Sequence, residues 1–489
     1  MNYRMILSLL GNVLLIIAAF LLLPCIVALI YGEDALIALL LSIAVCGGAG
    51  VLLSLLRPKK NRTIHAREGF VMVSLAWIFI SLGGALPFRL SGAIPSYLDA
   101  VFEMVSGFTT TGASILRAVE DMPKCLLFWR SFSHWLGGMG VLVFMLAIVP
   151  LSGESIHLLR AESPGPSVSK MLPKMRDSSA ILYGIYLGMT VLQILAYRLG
   201  TLCGWGDISW FDTLCLSFGS AGTGGFSIRN DGMASYSTYE LWVTTVSMAL
   251  FGVNFSVYFF LLFRKPRTAL KNSEVKCYFL IILIAVALIT ANLLLVGGYF
   301  DSFGQTVREV SFAVSSLITT TGYGSADFSL WPEFSKTVLA FLMLVGACGG
   351  STGGGLKVSR LLILLKTARM EIRRLLHPQA VTVMKLDGKP VSKEIIRSTS
   401  AYFIFYCLII LAAIFVISLD GFGTETTVTA AISAFNNIGP GLSTLIGPCG
   451  SFADFSALSK LVLIGAMLLG RLEIFPMLLL LRPATWRKY

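Results

Sequence analysis

Charge is scarce in this chain. Asp, Glu, Lys and Arg make up 13% of its 489 residues against 56% hydrophobic, where a soluble domain carries roughly 25% charged residues. That excludes an ordinary soluble protein, and the apolar residues come in runs long enough to cross lipid. Histidine is almost missing, with four copies, and the nine cysteines contain no C-x-x-C pair. Neither a zinc pattern nor a disulfide framework follows. His65, His134, His157 and His377 fall at span ends or in loops, so no nucleophile and base or metal cluster speaks for a membrane enzyme. Nor is there a mid-span series of carboxylates or histidines of the kind proton-coupled transporters use. A phosphate-binding G-x-x-x-x-G-K-[ST] loop is absent too, because Lys357 is followed by Val358 where Ser or Thr is needed.

What is present is a succession of apolar windows. Ten are long enough for a ~30 Å hydrocarbon layer: 6–31, 36–56, 69–89, 125–151, 179–201, 239–263, 277–297, 336–364, 398–418 and 456–481. The first is too long for a signal peptide and is read as a retained span. An even number places both termini on one side. Most of the 38 Lys and Arg lie near the N-terminus, in 57–67, 151–179, 264–276 and 357–397, and at the C-terminus. The positive-inside rule makes that side cytoplasmic. The net charge of +12 is therefore an orientation signal, with no need of a nucleic-acid partner. The opposite connections are acidic, with Glu33, Asp99, Asp212, Glu309, Asp420 and Glu425 among them. Such acids raise the local cation concentration or simply solvate loops.

Four outer connections, 97–114, 209–227, 303–325 and 424–443, each hold a short apolar segment too short to span, followed by a Gly-ended turn. The turns are Thr109-Thr110-Thr111-Gly112, Ala221-Gly222-Thr223-Gly224, Thr319-Thr320-Thr321-Gly322 and Asn436-Asn437-Ile438-Gly439. Each segment is expected to be a re-entrant half-helix, starting near Asp99, Asp212, Glu309 or Glu425, where an acid also compensates the helix dipole. Irregular backbone at membrane depth must line a wet cavity or be buried in protein. Four such turns about one axis satisfy that condition, and their stacked carbonyls could replace the hydration shell of a monovalent cation. The half-helix C-termini would favour a cation in the cavity below.

These turns, together with the T-G-G-F-S of Thr223 to Ser227 and the N-N-I-G-P-G of Asn436 to Gly441, resemble the Trk/Ktr/HKT superfamily of potassium transporters over essentially the whole chain. The two leading helices make it similar to the TrkH/TrkG subfamily. The resemblance implies an all-α polytopic membrane protein of two leading helices (1–68) and four membrane-pore-membrane repeats (69–178, 179–276, 277–397 and 398–489). It implies a K+ filter at Thr110, Thr111, Gly112, Gly222, Thr223, Gly224, Thr320, Thr321, Gly322, Asn437, Ile438 and Gly439. It also implies a homodimer in the bacterial inner membrane, regulated by a cytoplasmic TrkA-like nucleotide-binding ring, with no nucleotide bound by this chain. Ser in place of the first filter glycine accompanies sodium preference in plant relatives. Gly112 therefore favours potassium.

Below the filter, Gly346-Ala347-Cys348-Gly349-Gly350-Ser351-Thr352-Gly353-Gly354-Gly355 cannot keep a helix, at ~1 kcal/mol lost per Gly. A broken span is expected there, where the family has its intramembrane gating loop; close packing of small residues is the competing explanation. Arg471, deep in the last apolar window, costs at least ~2.5 kcal/mol to insert and so faces a cavity or a partner. It is expected to project into the pore as an electrostatic barrier. The basic stretch 357–397 would meet lipid headgroups or the regulatory ring, with Lys366 to Arg374 continuing the eighth span as a helix. The function expected is K+ uptake through a gated pore. The alternative is a sodium-permeable or H+- or Na+-coupled potassium symporter.

Overall fold

The computed structural model describes residues 2–56, 66–140, 175–264, 266–379 and 383–486. Most of each connection expected at 57–67 and 151–179, with His65 and His157, lies outside the described residues, as does the far end of the apolar run 125–151. Among the described residues the regular structure is helical apart from one hairpin of two-residue strands, in which Lys385–Leu386 pairs with Lys389–Pro390. The Asp387-Gly388 turn between them, with φ of 52° and 77°, has the two left-handed residues that a tight hairpin requires.

The leading helices are Tyr3–Phe20, continued after Leu21 by Leu22–Tyr31, and Leu36–Ser54. They approach backbone to backbone where Gly11 meets Gly50 and Ser54, a small-residue packing suited to lipid. Three elements then recur four times. The long helices are Ala66–Leu90, Met175–Leu202, Ser273–Val296 and Lys393–Ile417. The half-helices are Tyr97–Phe108, Trp210–Gly222, Phe303–Ile318 and Thr424–Asn436, and the second helices Lys124–Gly138, Thr238–Phe251, Glu333–Val345 and Ala457–Arg471. Ser96, Ser209 and Ser302 cap the first three half-helices through their side chains, satisfying amide groups that would otherwise lack acceptors. A short helix is thus present at each of the four places the sequence marks.

Continuity differs from expectation. Among the described residues six helices are long and apolar enough to cross a membrane unbroken, and a seventh is the pair Thr238–Phe251 and Phe255–Leu262, bent by 91°. The windows at 125–151, 239–263, 336–364 and 456–481 are the second helices, and each stops part-way. Only the break at 346–355 is anticipated by composition. The others have a local cause in the glycines at the stop. A Cβ at Gly137 would overlap the Phe108 carbonyl, one at Gly470 would overlap the Phe435 carbonyl, and one at Gly252 would press on Tyr278 and Thr319. The second helices therefore end where they touch the C-termini of the half-helices.

Burial runs inside-out, as lipid solvent demands. Half-helix residues such as Phe102, Phe108, Phe312 and Phe435 are buried, whereas Leu283, Leu295 and Phe415 of the long helices are exposed. The chain's two ends meet on one face: Tyr3 Oη donates to the Trp486 carbonyl at 2.8 Å, and Arg67 donates to that of Thr485.

Candidate functional site

The four Gly-ended turns close on one another. A Cβ on Gly112 would overlap the carbonyl oxygen of Gly224, one on Gly225 that of Thr321, one on Gly322 that of Ile438, and one on Gly439 would stand 2.7 Å from that of Thr111. First touches second, second touches third, third touches fourth and fourth touches first. All four of these glycines carry positive φ, at 81°, 73°, 85° and 102°, so a side chain is excluded by conformation as well as by space. The same four line one cleft.

This geometry corrects the register of the second turn. Spacing aligns Gly224 with Gly112, Gly322 and Gly439, but the structure aligns Gly225. The hydrogen-bond pattern agrees: the amides of Thr111, Gly224, Thr321 and Ile438 donate to Ser106, Gly219, Ser316 and Ser433 at 2.8, 2.9, 2.8 and 3.0 Å. The residue before each of these, Thr110, Thr223, Thr320 and Asn437, is left-handed, with φ between 55° and 59°. Gly222, Thr223 and Gly224 are therefore the counterparts of Thr109 to Thr111, and Gly225 completes the ring. A Gly-Gly doublet in a one-dimensional match cannot say which glycine bears the left-handed turn.

Behind the ring the turns are tied sideways. Thr109 and Thr111 share a hydroxyl hydrogen bond of 2.8 Å, and Thr319 and Thr321 share one of 2.7 Å. Asn437 Nδ2 donates to Thr111 Oγ1 at 3.0 Å and to the Met467 carbonyl at 2.9 Å.

Directly beneath lies the segment expected to break the eighth span. Gly346, Gly349, Gly350, Ser351, Thr352, Gly353, Gly354 and Gly355 form a loop between Glu333–Val345 and the helix Val358–Leu376. Gly354 N donates to Thr320 Oγ1 at 2.6 Å, and a Cβ at Gly354 would overlap the Asn436 carbonyl. Glu274 anchors the loop at both ends, accepting from Gly349 N at 2.6 Å and Ser359 N at 3.0 Å. Lys357, almost wholly buried and left-handed at φ 76°, donates its ammonium to the Gly353 carbonyl.

Arg471 reaches across this space. Nη1 donates to Thr110 Oγ1 at 3.1 Å and to the Thr352 carbonyl at 2.8 Å, while Nη2 donates to the Gly138 carbonyl at 2.7 Å and to that of Gly137. One guanidinium therefore joins the ring, the Gly-rich loop and the end of a second helix. Glu473, two residues on, pairs with Arg360, whose guanidinium also lies 3.9 Å from the Tyr402 ring centre.

Near the half-helix starts the acids are engaged with neighbours. Asp99 pairs with Lys460 at 2.7 Å, Asp212 with Arg229 at 3.0 Å, Glu309 with Arg308 at 2.8 Å and Glu425 with Lys336 at 3.0 Å. Tyr236 donates to Asp212 at 3.0 Å; burial first and the Asp212 charge second push its phenol well above the ordinary range, so it stays a donor. Glu33 accepts from Lys124 N and Cys125 N at 2.6 and 2.9 Å, closing the start of a second helix. These acids cap and pair, which weakens the case for an open acidic mouth.

Sequence reasoning missed three residues here. His134, placed among scattered histidines, is fully buried behind the second turn, and Arg130 forms a buried 2.7 Å pair with Glu103 beside it. Glu274 gave no signal beyond being an acid at a helix start. For His134 and Arg130 the available signal was their spacing of four on a helix that runs to a Gly-Gly stop.

Four short helices whose Gly-ended turns close on one another, a Gly-rich loop and a guanidinium packed against them, and several helices long and apolar enough to cross lipid define the class as a helical membrane protein. The chain belongs to the TrkH family, whose description is cation transport protein and which matches residues 37–488. It is 33% identical over the full length of both chains to the Trk system potassium uptake protein TrkH of Halomonas elongata, and 31% identical, again over both full lengths, to that of Escherichia coli K12. The crystal structure of the potassium transporter TrkH from Vibrio parahaemolyticus superposes with a TM-score of 0.89, at 29% identity and full coverage of both chains.

Proposed function

We propose that this chain is the pore-forming subunit of a potassium uptake system and conducts K+ into the cell through the four-turn ring. The observation that carries the proposal is the cyclic closure of the turns, in which the Gly224, Thr321, Ile438 and Thr111 carbonyl oxygens each abut the preceding turn's glycine. Backbone oxygens held in this way substitute for water around a monovalent cation. The curated relatives named for potassium uptake support K+ as the cargo.

In this proposal Thr110, Thr111, Gly112, Gly222, Thr223, Gly224, Gly225, Thr320, Thr321, Gly322, Asn437, Ile438 and Gly439 form the filter. The 346–355 loop is the gate, and Arg471 supplies a positive barrier beneath it. A cytoplasmic nucleotide-binding ring, docking on the basic helix Val358–Leu376, draws the loop aside, and two copies of the chain pair in the inner membrane with the termini cytoplasmic.

The test is growth of cells lacking potassium uptake when they express the chain, with and without the ring partner. Rescue at low external K+ is expected, and Gly112→Ser should shift uptake toward Na+. No rescue under either condition, with membrane insertion confirmed, overturns the proposal. Flux driven by a K+ gradient alone, in vesicles without Na+ or pH gradients, separates conduction from symport.

A further inference from the structure

The four turns are not supported alike from behind, and the second is the exception. At the position of Thr111, Gly224, Thr321 and Ile438, two turns use a threonine bonded to the threonine two residues earlier. The fourth buries Ile438 in an apolar cluster. The second has no side chain at either place, since Gly222 and Gly224 stand where the first has Thr109 and Thr111. Gly224 is not left-handed, so its backbone would accept a side chain; what excludes one is the His134 ring, which occupies the place of a Cβ.

His134 comes from the second helix of the preceding unit, Lys124–Gly138. Its Nδ1 lies 2.8 Å from the Gly107 carbonyl, and its Nε2 accepts from Phe226 N at 3.2 Å. A carbonyl only accepts and an amide only donates, so the proton is on Nδ1 and the ring is neutral. One turn earlier on the same helix face, Arg130 Nη1 donates to the Ser227 carbonyl at 3.2 Å, and its guanidinium lies 4.1 Å from the Phe226 ring centre. Phe226, the residue after the ring glycine Gly225, is held between the two, its ring 4.3 Å from that of His134.

We infer that His134 is a positioning residue for ion selection: it replaces the missing side chain of the second turn and sets where the Gly224 and Gly225 carbonyls stand. This rests on the filter assigned above. Arg130, neutralised by Glu103, fixes the outer end of the same segment.

The experiment measures the K+-to-Na+ permeability ratio of the full-length purified chain in lipid bilayers. His134→Asn keeps a donor toward Gly107 and loses the acceptor for Phe226 N. Its ratio should fall about three- to tenfold, the equivalent of one net hydrogen bond, while size-exclusion profile and thermal stability stay near wild type. His134→Ala should fall further, and adding Gly224→Thr to it should recover part of the ratio, because a side chain then returns to the vacated space. A folded His134→Asn or His134→Ala with the wild-type ratio overturns the inference. So does a folded double variant that discriminates no better than His134→Ala. A wild-type chain that carries no K+ with or without the ring partner would instead overturn the pore reading itself, and the two failures are told apart by that control.

Discussion

At the scale of single residues the ring is first a problem of space. Each of its glycines faces a carbonyl oxygen of the next turn and has a left-handed backbone, so strain and overlap add. Gly225→Ala should abolish measurable uptake, with a left-handed alanine costing ~1 kcal/mol before the clash with Thr321 is counted. Gly421→Ala is the control: it is also left-handed, at φ 75° and ψ 13°, but nothing lies within 4 Å of its Cβ position, so it should cost about 1 kcal/mol and leave Rb+ uptake intact. Equal activity in the two variants would refute the corrected register. That register was half legible. The Gly-ended turns stood out in the sequence, but the choice between Gly224 and Gly225 depends on φ, which a doublet does not encode. Arg471 was legible because a cation deep in an apolar window must be accounted for. Its four oxygen partners, from three separate elements, were not. Arg471→Ala should raise basal K+ flux severalfold and lower stability by about 2–3 kcal/mol, as charge-assisted bonds are lost. Unchanged or vanished flux in folded protein would remove the barrier role.

At the scale of elements, the second helices do two jobs. Their ends press on the half-helix C-termini, and in two of them a lysine reaches the next half-helix start. Lys336 of Glu333–Val345 bonds Glu425, and Lys460 of Ala457–Arg471 bonds Asp99. These links run from third to fourth unit and from fourth to first, so they close the assembly across its sequence ends. The Lys460–Asp99 pair is mostly buried, at 9% and 25% exposure of the two side chains, and should be worth more than the ~0–1 kcal/mol of a surface pair. Asp99→Asn is expected to lower the unfolding midpoint by several degrees, and Lys460→Asp combined with Asp99→Lys to recover much of it. Additive losses in that double variant would mean the two side chains do not interact. The loop has its own anchor in Glu274. Glu274→Gln weakens one acceptor shared by Gly349 and Ser359, so partner-free K+ flux should rise about fivefold, roughly 1 kcal/mol. No rise in the folded variant argues that the loop is held elsewhere. Sequence marked the half-helices and the 346–355 break through length and glycine density. It did not mark the stops at Gly138, Phe251 and Arg471, because one or two glycines in an apolar run also suit a continuous, closely packed helix. Only the facing carbonyls distinguish the cases.

At the scale of the whole molecule, the membrane fixes what sequence can say. Lipid forbids unpaired backbone, so crossings, re-entrant segments and charge asymmetry are all written in composition, and the all-helical layout follows from them. Tyr3 and Trp486 meet on one face. Lateral order has no such constraint and is decided by which surfaces fit. The two leading helices show the difference. Their presence was plain, but nothing in their apolar sequence said that Tyr3–Phe20 packs along both Leu36–Ser54 and Ala66–Leu90, or that Leu22–Tyr31 lies against Lys124–Gly138. They therefore buttress the first unit, whose second helix carries Arg130 and His134 to the ring. The tightest point of this buttress is the Gly11–Gly50 crossing, where a Cβ on Gly50 would meet Leu15 and the Gly11 carbonyl. Gly50→Leu should force the two helices apart and cost about 1–3 kcal/mol, as overpacking does. If the leading helices serve only to support the first unit, purified Gly50→Leu protein should unfold several degrees earlier, yet keep the wild-type K+-to-Na+ ratio in whatever fraction folds. A variant of normal stability would show that the crossing carries no load. A stable variant with altered selectivity would show instead that these helices act on the ring through Lys124–Gly138, a path the packing makes short.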